Sequence, residues 1–85
     1  MPIIYCAIHN FDFTISIHVI DNNNIIEKHL INLEEIYETV PALAKLHETN
    51  KIVLGGGKFG AGFAEEIQTE AAMKYGINNL EIEVI

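Results

Sequence analysis

Basic residues are scarce in this sequence, which has five Lys and Arg against twelve Asp and Glu and a formal net charge of −7. Nonspecific binding to DNA or RNA backbone is driven by Lys and Arg, so this composition disfavours it. A surplus of negative charge keeps a protein soluble and also suits a basic protein partner. One interpretation is therefore an inhibitor that imitates DNA.

Cysteine and long apolar segments are scarce as well. The single cysteine, Cys6, excludes an internal disulfide framework and suits a reducing compartment. Because Cys6 lies within an apolar run, we expect it to be buried and unreactive. No segment approaches the roughly 18 apolar residues of a membrane span, and no basic region precedes the short apolar run near Met1, so we expect no cleavable signal. These absences predict a cytoplasmic protein without membrane contact.

The composition that remains is that of a globular domain. Hydrophobic residues make up 49% of the 85 residues and charged residues 20%, which predicts one domain over residues 1–85. A domain of this size buries only about 60 to 65% of the surface of its unfolded chain. Its stability must come from an efficiently packed core or from a partner.

The first half of the chain predicts three strands. Residues 3–8 form a continuous apolar run, residues 13–20 alternate apolar and polar side chains, and residues 25–31 follow a turn rich in Asn. If the second hairpin closes symmetrically, Ile15, Ile17, Val19, Ile26 and Leu30 share the core face. The opposite, exposed face then carries Thr14, Ser16, His18, Glu27 and His29.

The second half predicts two helices and two strands. Asn32 and Glu35 form a variant of the capping box before a helical pattern that extends to about residue 50, with a kink or a split at Pro41. Residues 51–54 are a short strand, residues 61–75 a helix that ends before Gly76, and residues 80–85 a last strand. The predicted order is β-β-β-α-β-α-β in a compact α/β domain with a mixed sheet.

This order, together with residues 4–21 (IYCAIHNFDFTISIHVID), resembles the ribonuclease H-like superfamily, which includes Holliday-junction resolvases and actin-like ATPases. The resemblance extends over nearly the whole chain and implies a ribonuclease H-like fold; another small α/β sandwich is the alternative. In the nucleases of that superfamily, carboxylates at the ends of the first and fourth strands hold metal ions. Here His9 and Gly55 stand at those ends, and Asp12 is the nearest carboxylate. We therefore expect no catalytic residues and no cofactor, with a reduced metal-dependent nuclease or phosphotransferase as an alternative.

A glycine-rich loop is the clearest local motif. Gly55, Gly57 and Gly60 satisfy G-x-G-x-x-G between a strand and a helix, where backbone amides can bind a phosphate and Lys58 can add a positive charge. The sequence lacks the acidic strand end of a dinucleotide site and the Ser or Thr of a P-loop. Two other interpretations remain: glycines that permit a sharp turn and close packing, and a protein contact through an exposed Phe59.

These observations favour a noncatalytic binding module that acts through protein contacts or binds a small phosphorylated ligand. The predicted ligand-binding residues are His9, Asn10, Asp12, Gly55, Gly56, Gly57, Lys58, Phe59 and Gly60. They would meet at the edge where parallel strands end.

Three further hypotheses concern metals and partners. His18, His29 and Glu27 would lie together on the exposed face, but such neighbours arise by chance in sheets, so no metal site is expected. Ile20, Ile25 and Ile31 on the same face favour a homodimer, through that face or through a sheet edge. The third hypothesis is a phage-type inhibitor of a host protein.

Overall fold

The computed structural model describes the backbone of residues 1–85 and every side chain except that of Phe59. It contains five strands, a short 3₁₀ helix and two α-helices. In chain order they are β1 (Ile3–His9), β2 (Thr14–Asp21), β3 (Asn24–Asn32), a 3₁₀ turn (Leu33–Glu35), α1 (Ile36–Leu46), β4 (Lys51–Gly55), α2 (Lys58–Tyr75) and β5 (Glu81–Val84). The predicted order of elements is confirmed.

The five strands form one mixed sheet in the order β3-β2-β1-β4-β5. β1 pairs antiparallel with β2, and β2 pairs antiparallel with β3. On its other side β1 pairs parallel with β4, which pairs parallel with β5. The central strand β1 therefore belongs to the antiparallel meander β1-β2-β3 on one side. On its other side lie β4 and β5, which run parallel to it.

Both helices pack on the same face of the sheet. Alternate residues of β1, β2 and β4 join residues of α1 and α2 in one buried cluster: Ile4, Cys6, Ile15, Ile17, Val19, Ile36, Val40, Leu43, Ala44, Ile52, Leu54, Ile67, Ala71 and Leu80. Complete burial of one such aliphatic side chain contributes about 1.5 to 3 kcal/mol. Burial also raises the pKa of the Cys6 thiol to about 12, which keeps it protonated at neutral pH.

The predicted faces of the second hairpin are wrong because β3 contains a bulge. Asn22 and Asn23 have positive φ values of 51° and 66°, which suit a tight turn. Beyond this turn Ile20 pairs with Ile25 but Val19 pairs with Glu27, so Ile26 is an extra residue in the ladder. One extra residue moves each later side chain of β3 to the opposite face.

The consequence of the bulge is an exchange of polar and apolar residues between the two faces of β3. Glu27 and His29 lie on the helix side, opposite Val19 and Ile17. Leu30 pairs with Ser16 and lies on the face that no helix covers. Ile31, predicted to be on that face, pairs with Ile15 and packs against the core.

The expected split at Pro41 is also wrong. α1 continues through Pro41, which is completely buried, and the division lies earlier, where the 3₁₀ turn meets Ile36. The loss of one backbone donor is tolerated within the helix because Pro41 packs into the interior. At the start of this segment the amide of Asn32 donates to Glu35 Oε1 at 3.1 Å, as the predicted capping box requires.

The second helix begins earlier than predicted and ends as predicted. α2 starts at Lys58, so Gly60 and Gly62 belong to the helix. At the other end Gly76 has φ of 68°, and its amide donates to the carbonyl of Ala72 at 3.2 Å. Over the part of the chain that the structure describes, neither helix has the length and hydropathy needed to cross a bilayer.

Candidate functional site

The structure brings the predicted ligand-binding residues to one edge of the sheet. β1 and β4 are adjacent and parallel, with Ala7 beside Gly55, so both strands end at this edge. His9 is the last residue of β1, and the loop that begins with Asn10 leaves from there. The glycine loop leaves from the end of β4. The shared edge was correctly predicted from the order of strands and helices.

At this edge His9 and Asp12 are engaged within the first hairpin. His9 Nε2 lies 2.8 Å from Ser16 Oγ. Asp12 Oδ1 accepts hydrogen bonds from the Thr14 hydroxyl at 2.7 Å and from the Thr14 amide at 3.3 Å. The bond from the Thr14 hydroxyl is the main cause that lowers the pKa of Asp12. Asp12 therefore closes the hairpin turn as an ionised carboxylate, and its negative charge opposes the binding of a phosphate nearby.

The amides of Gly56 and Gly57 donate to the protein's own backbone. Both donate to the carbonyl of Ile85, at 3.2 Å and 2.9 Å, and the amide of Ile85 donates to the carbonyl of Leu54 at 2.9 Å. These bonds extend the pairing of β4 with β5 into the loop. The interpretation that the loop amides converge on a phosphate is therefore wrong for Gly56 and Gly57.

The glycines of the loop have structural reasons to lack a side chain. A Cβ at Gly55 would come within 3.0 Å of the Tyr5 hydroxyl, and one at Gly60 would lie 3.3 Å from Val84 Cγ1 and 3.4 Å from Leu54 Cβ. Gly57 caps α2 with φ of 56° and ψ of −126°, a backbone conformation that L-residues rarely adopt. The glycines allow a sharp turn and the close packing of α2 on the sheet. Lys58 is exposed at the start of α2, while the predicted contact through the side chain of Phe59 lies outside the described residues.

The structure groups Glu27 with His29 and His47, whereas the sequence predicted Glu27 together with His18 and His29. Glu27 Oε1 lies 3.2 Å from His29 Nε2, and Glu27 Oε2 contacts Nε2 of His47, which follows α1. His18 is on the opposite face of the sheet, where it pairs with Lys28. Among the described residues no group of three or more His, Cys, Asp or Glu has a geometry that suits a metal ion. The signal that the sequence analysis missed is the bulge, which turns Glu27 toward the helices.

None of the described elements covers the face of the sheet opposite the helices, and we call it the open face. Its middle row, in the order β3 to β5, is Lys28, His18, Tyr5, Val53 and Glu83. The row nearer the start of β1 is Ile25, Ile20, Ile3, Lys51 and Glu81. The row on its other side includes Leu30, Ser16, Ala7 and Gly55.

The open face combines apolar side chains with four charged ones: Lys28 on β3, Lys51 on β4, and Glu81 and Glu83 on β5. Leu30 is 70% exposed, and Ile25 and Ile3 are 48% and 37% exposed. Lys28 lies at the β3 end and Glu83 at the β5 end, and both are exposed. Leu30 and Ile25 lie on either side of Lys28 on β3, and exposed apolar side chains that share a face with charged ones are a feature of interaction sites. Comparison with known protein families, with characterised proteins and with solved structures finds nothing that matches this chain.

Proposed function

We propose that this protein is a noncatalytic binding module that acts through protein contacts made by the open face. One observation carries the proposal: both helices pack on one face of the sheet, whereas the other face holds apolar side chains that no element covers. Antiparallel sheets often expose one face, but that face is then normally polar. Here Leu30, Ile25 and Ile3 interrupt the polar pattern. A partner that covers these side chains would remove them from water, which is favourable.

A protein partner fits this surface better than a small ligand does. Small-molecule sites are concave and bury most of the ligand, whereas the open face extends over all five strands. At the competing site, the glycine-rich edge, the amides of Gly56 and Gly57 already have acceptors, and Asp12 adds a negative charge. The predicted phosphate site adjoins the open face at Gly55, but its loop amides at Gly56 and Gly57 are bonded to Ile85.

The proposal includes a ribonuclease H-like architecture without the chemistry of that superfamily's nucleases. The element order and the mixed sheet, with a three-stranded meander joined to two parallel strands, support the architecture. His9 and Gly55 hold the positions where the nucleases carry carboxylates, and Asp12 is engaged with Thr14. A metal-dependent nuclease or phosphotransferase would rest on Asp12 alone, so binding is the function that the residues support.

Hydroxyl-radical footprinting tests the proposal directly. The probes are Tyr5 and Leu30 on the open face, and the matched controls are Met73 and Leu46, exposed on the helix side at 77% and 69%. The protein is labelled when dilute, when concentrated, and when dilute in an extract of its source cells. We expect Tyr5 and Leu30 to lose reactivity in at least one of the last two conditions while Met73 and Leu46 do not. If the reactivity of Tyr5 and Leu30 is the same in all three conditions, the proposal is contradicted.

A further inference from the structure

Two charged side chains of the open face, Lys28 and Glu83, indicate which molecule covers it. Resting on the proposed function, we infer that a second copy of this chain covers the open face, packed about a two-fold axis that runs along the central strand β1. The two sheets then lie face to face with their strands nearly aligned, as in a β-sandwich. Each open face is the partner surface of the other.

The middle row of the open face runs from a basic end to an acidic end. Lys28 lies on the edge strand β3, Glu83 lies on the opposite edge strand β5, and Tyr5 lies midway between them. The two charges are four strand spacings apart, about 19 Å. They are therefore too distant to pair with each other within one chain.

A two-fold axis along β1 exchanges the two ends of this row. It brings β3 of one copy over β5 of the other, so that Lys28 meets Glu83 of the second copy and the contact occurs twice. Tyr5 meets its own symmetry mate near the axis. A two-fold axis across the strands would instead bring Lys28 against Lys28 and Glu83 against Glu83. Of these two arrangements, the contact of Lys28 with Glu83 favours the first.

The size of the open face is sufficient for a specific dimer. Five strands about 4.8 Å apart and six residues with a rise of about 3.3 Å make a face of about 24 by 20 Å. Two such faces amount to about 1,000 Å² before the relief of the side chains is counted, which is the lower limit for a specific interface. Interfaces at this lower limit include weak and transient ones, so we expect an association that depends on concentration.

The sheet edges are less suited to self-association than the open face. The edge strand β3 contains the bulge at Ile26, and bulges prevent regular pairing with another strand. The other edge strand, β5, has four residues, two of which are Glu. Short and charged edge strands are features that prevent edge-to-edge pairing. Of the two routes to a homodimer, the face is the one that these residues permit.

Charge reversal at Lys28 and Glu83 tests the two-fold arrangement by sedimentation equilibrium from micromolar to millimolar concentration. Lys28→Glu and Glu83→Lys should each raise the dimer dissociation constant at least about tenfold, since each places like charges together twice. An equimolar mixture of the two variants should form a heterodimer, because both contacts are then Lys with Glu. The double variant Lys28→Glu/Glu83→Lys should dimerise like the wild type. Lys45→Glu and Glu65→Lys, which make the same charge changes on exposed helix positions, are the controls.

Several results would overturn this inference. A double variant that remains monomeric contradicts the axis along β1, because only that axis pairs position 28 with position 83. Dimerisation that is insensitive to both charge reversals excludes the open face. A wild type that stays monomeric at all concentrations, while Tyr5 becomes protected only in cell extract, overturns the second copy and leaves the proposed function standing. A monomeric wild type with no protection of Tyr5 overturns both.

Discussion

The carboxylate of Glu27, in the edge strand β3, contacts His47, which lies twenty residues later at the end of α1. The same carboxylate reaches His29 through its other oxygen at 3.2 Å. It thus links the edge of the sheet to the helix layer. The Glu27 side chain is 32% exposed and that of His47 17% exposed, so the link is partly shielded from solvent.

This link predicts a contribution to stability that depends on pH. Burial opposes ionisation of Glu27, but the hydrogen bonds and charges of His29 and His47 outweigh it and lower the pKa of Glu27 below 4.5. A carboxylate with a lowered pKa stabilises the folded state above its unfolded pKa and loses this effect as the pH falls. Glu27→Gln should reduce the unfolding free energy by about 1 kcal/mol near neutral pH, a decrease in Tm of about 4 to 8 °C. The difference from wild type should shrink below pH 4.5.

Thermal unfolding between pH 7 and pH 3 measures both effects. Glu65→Gln, on the exposed surface of α2, removes a carboxylate without such a link and serves as the control. If the two variants show the same Tm at every pH, the contact between Glu27 and His47 contributes nothing to stability.

Two glycines of the second helix region should respond oppositely to alanine. Gly57 has φ of 56°, so Gly57→Ala should cost about 1 to 3 kcal/mol in unfolding free energy. Gly62 lies within α2, where an added Cβ meets nothing within 4 Å, so Gly62→Ala should stabilise by about 0.5 to 1 kcal/mol. Chemical denaturation of both variants checks the prediction. Equal effects would mean that the loop does not hold its turn at Gly57.

Phosphate and nucleotides should leave the stability of the protein unchanged. The amides of Gly56 and Gly57 are not free to bind a phosphate, since both donate to the carbonyl of Ile85. The charge of Lys58 lies on the exposed surface. A ligand at a hundredfold excess over its Kd would stabilise the fold by about 2.7 kcal/mol, which a thermal-shift assay detects easily. An increase in Tm with inorganic phosphate or ATP that disappears in Lys58→Ala would instead restore the phosphate site.

The sequence predicted the order of the elements better than it predicted the residues facing each side of the sheet. Alternation over residues 13–20 and the helix-ending Gly76 depend on local chemistry, which one chain displays directly. The bulge at Ile26 leaves no such mark, because residues 25–31 (IIEKHLI) do not alternate strictly and so do not fix which side chains face the core. That single residue moved Glu27 and His29 away from His18 and exposed Leu30.

The sequence could not show that the amides of Gly56 and Gly57 are bonded within the protein, for a different reason. G-x-G-x-x-G specifies a turn between a strand and a helix, and the structure contains that turn. Whether the amides are free depends on the last strand, because β5 returns beside β4 and brings the carbonyl of Ile85 to the loop. Bonds from Gly56 and Gly57 to Ile85, which lies 29 and 28 positions later, cannot be read from the motif alone. The open face could not be predicted from the sequence, because it depends on both helices packing on the same side of the sheet.

Sedimentation equilibrium of the wild type, Tyr5→Lys and Met73→Lys is the most direct test that the protein associates through its open face. Both variants add one positive charge, at the centre of the open face and on the exposed surface of α2 respectively. The mass of wild type and of Met73→Lys should rise with concentration from 9.5 kDa toward twice that value, whereas that of Tyr5→Lys should stay at 9.5 kDa. Association of Tyr5→Lys that is as strong as that of the wild type would contradict the account.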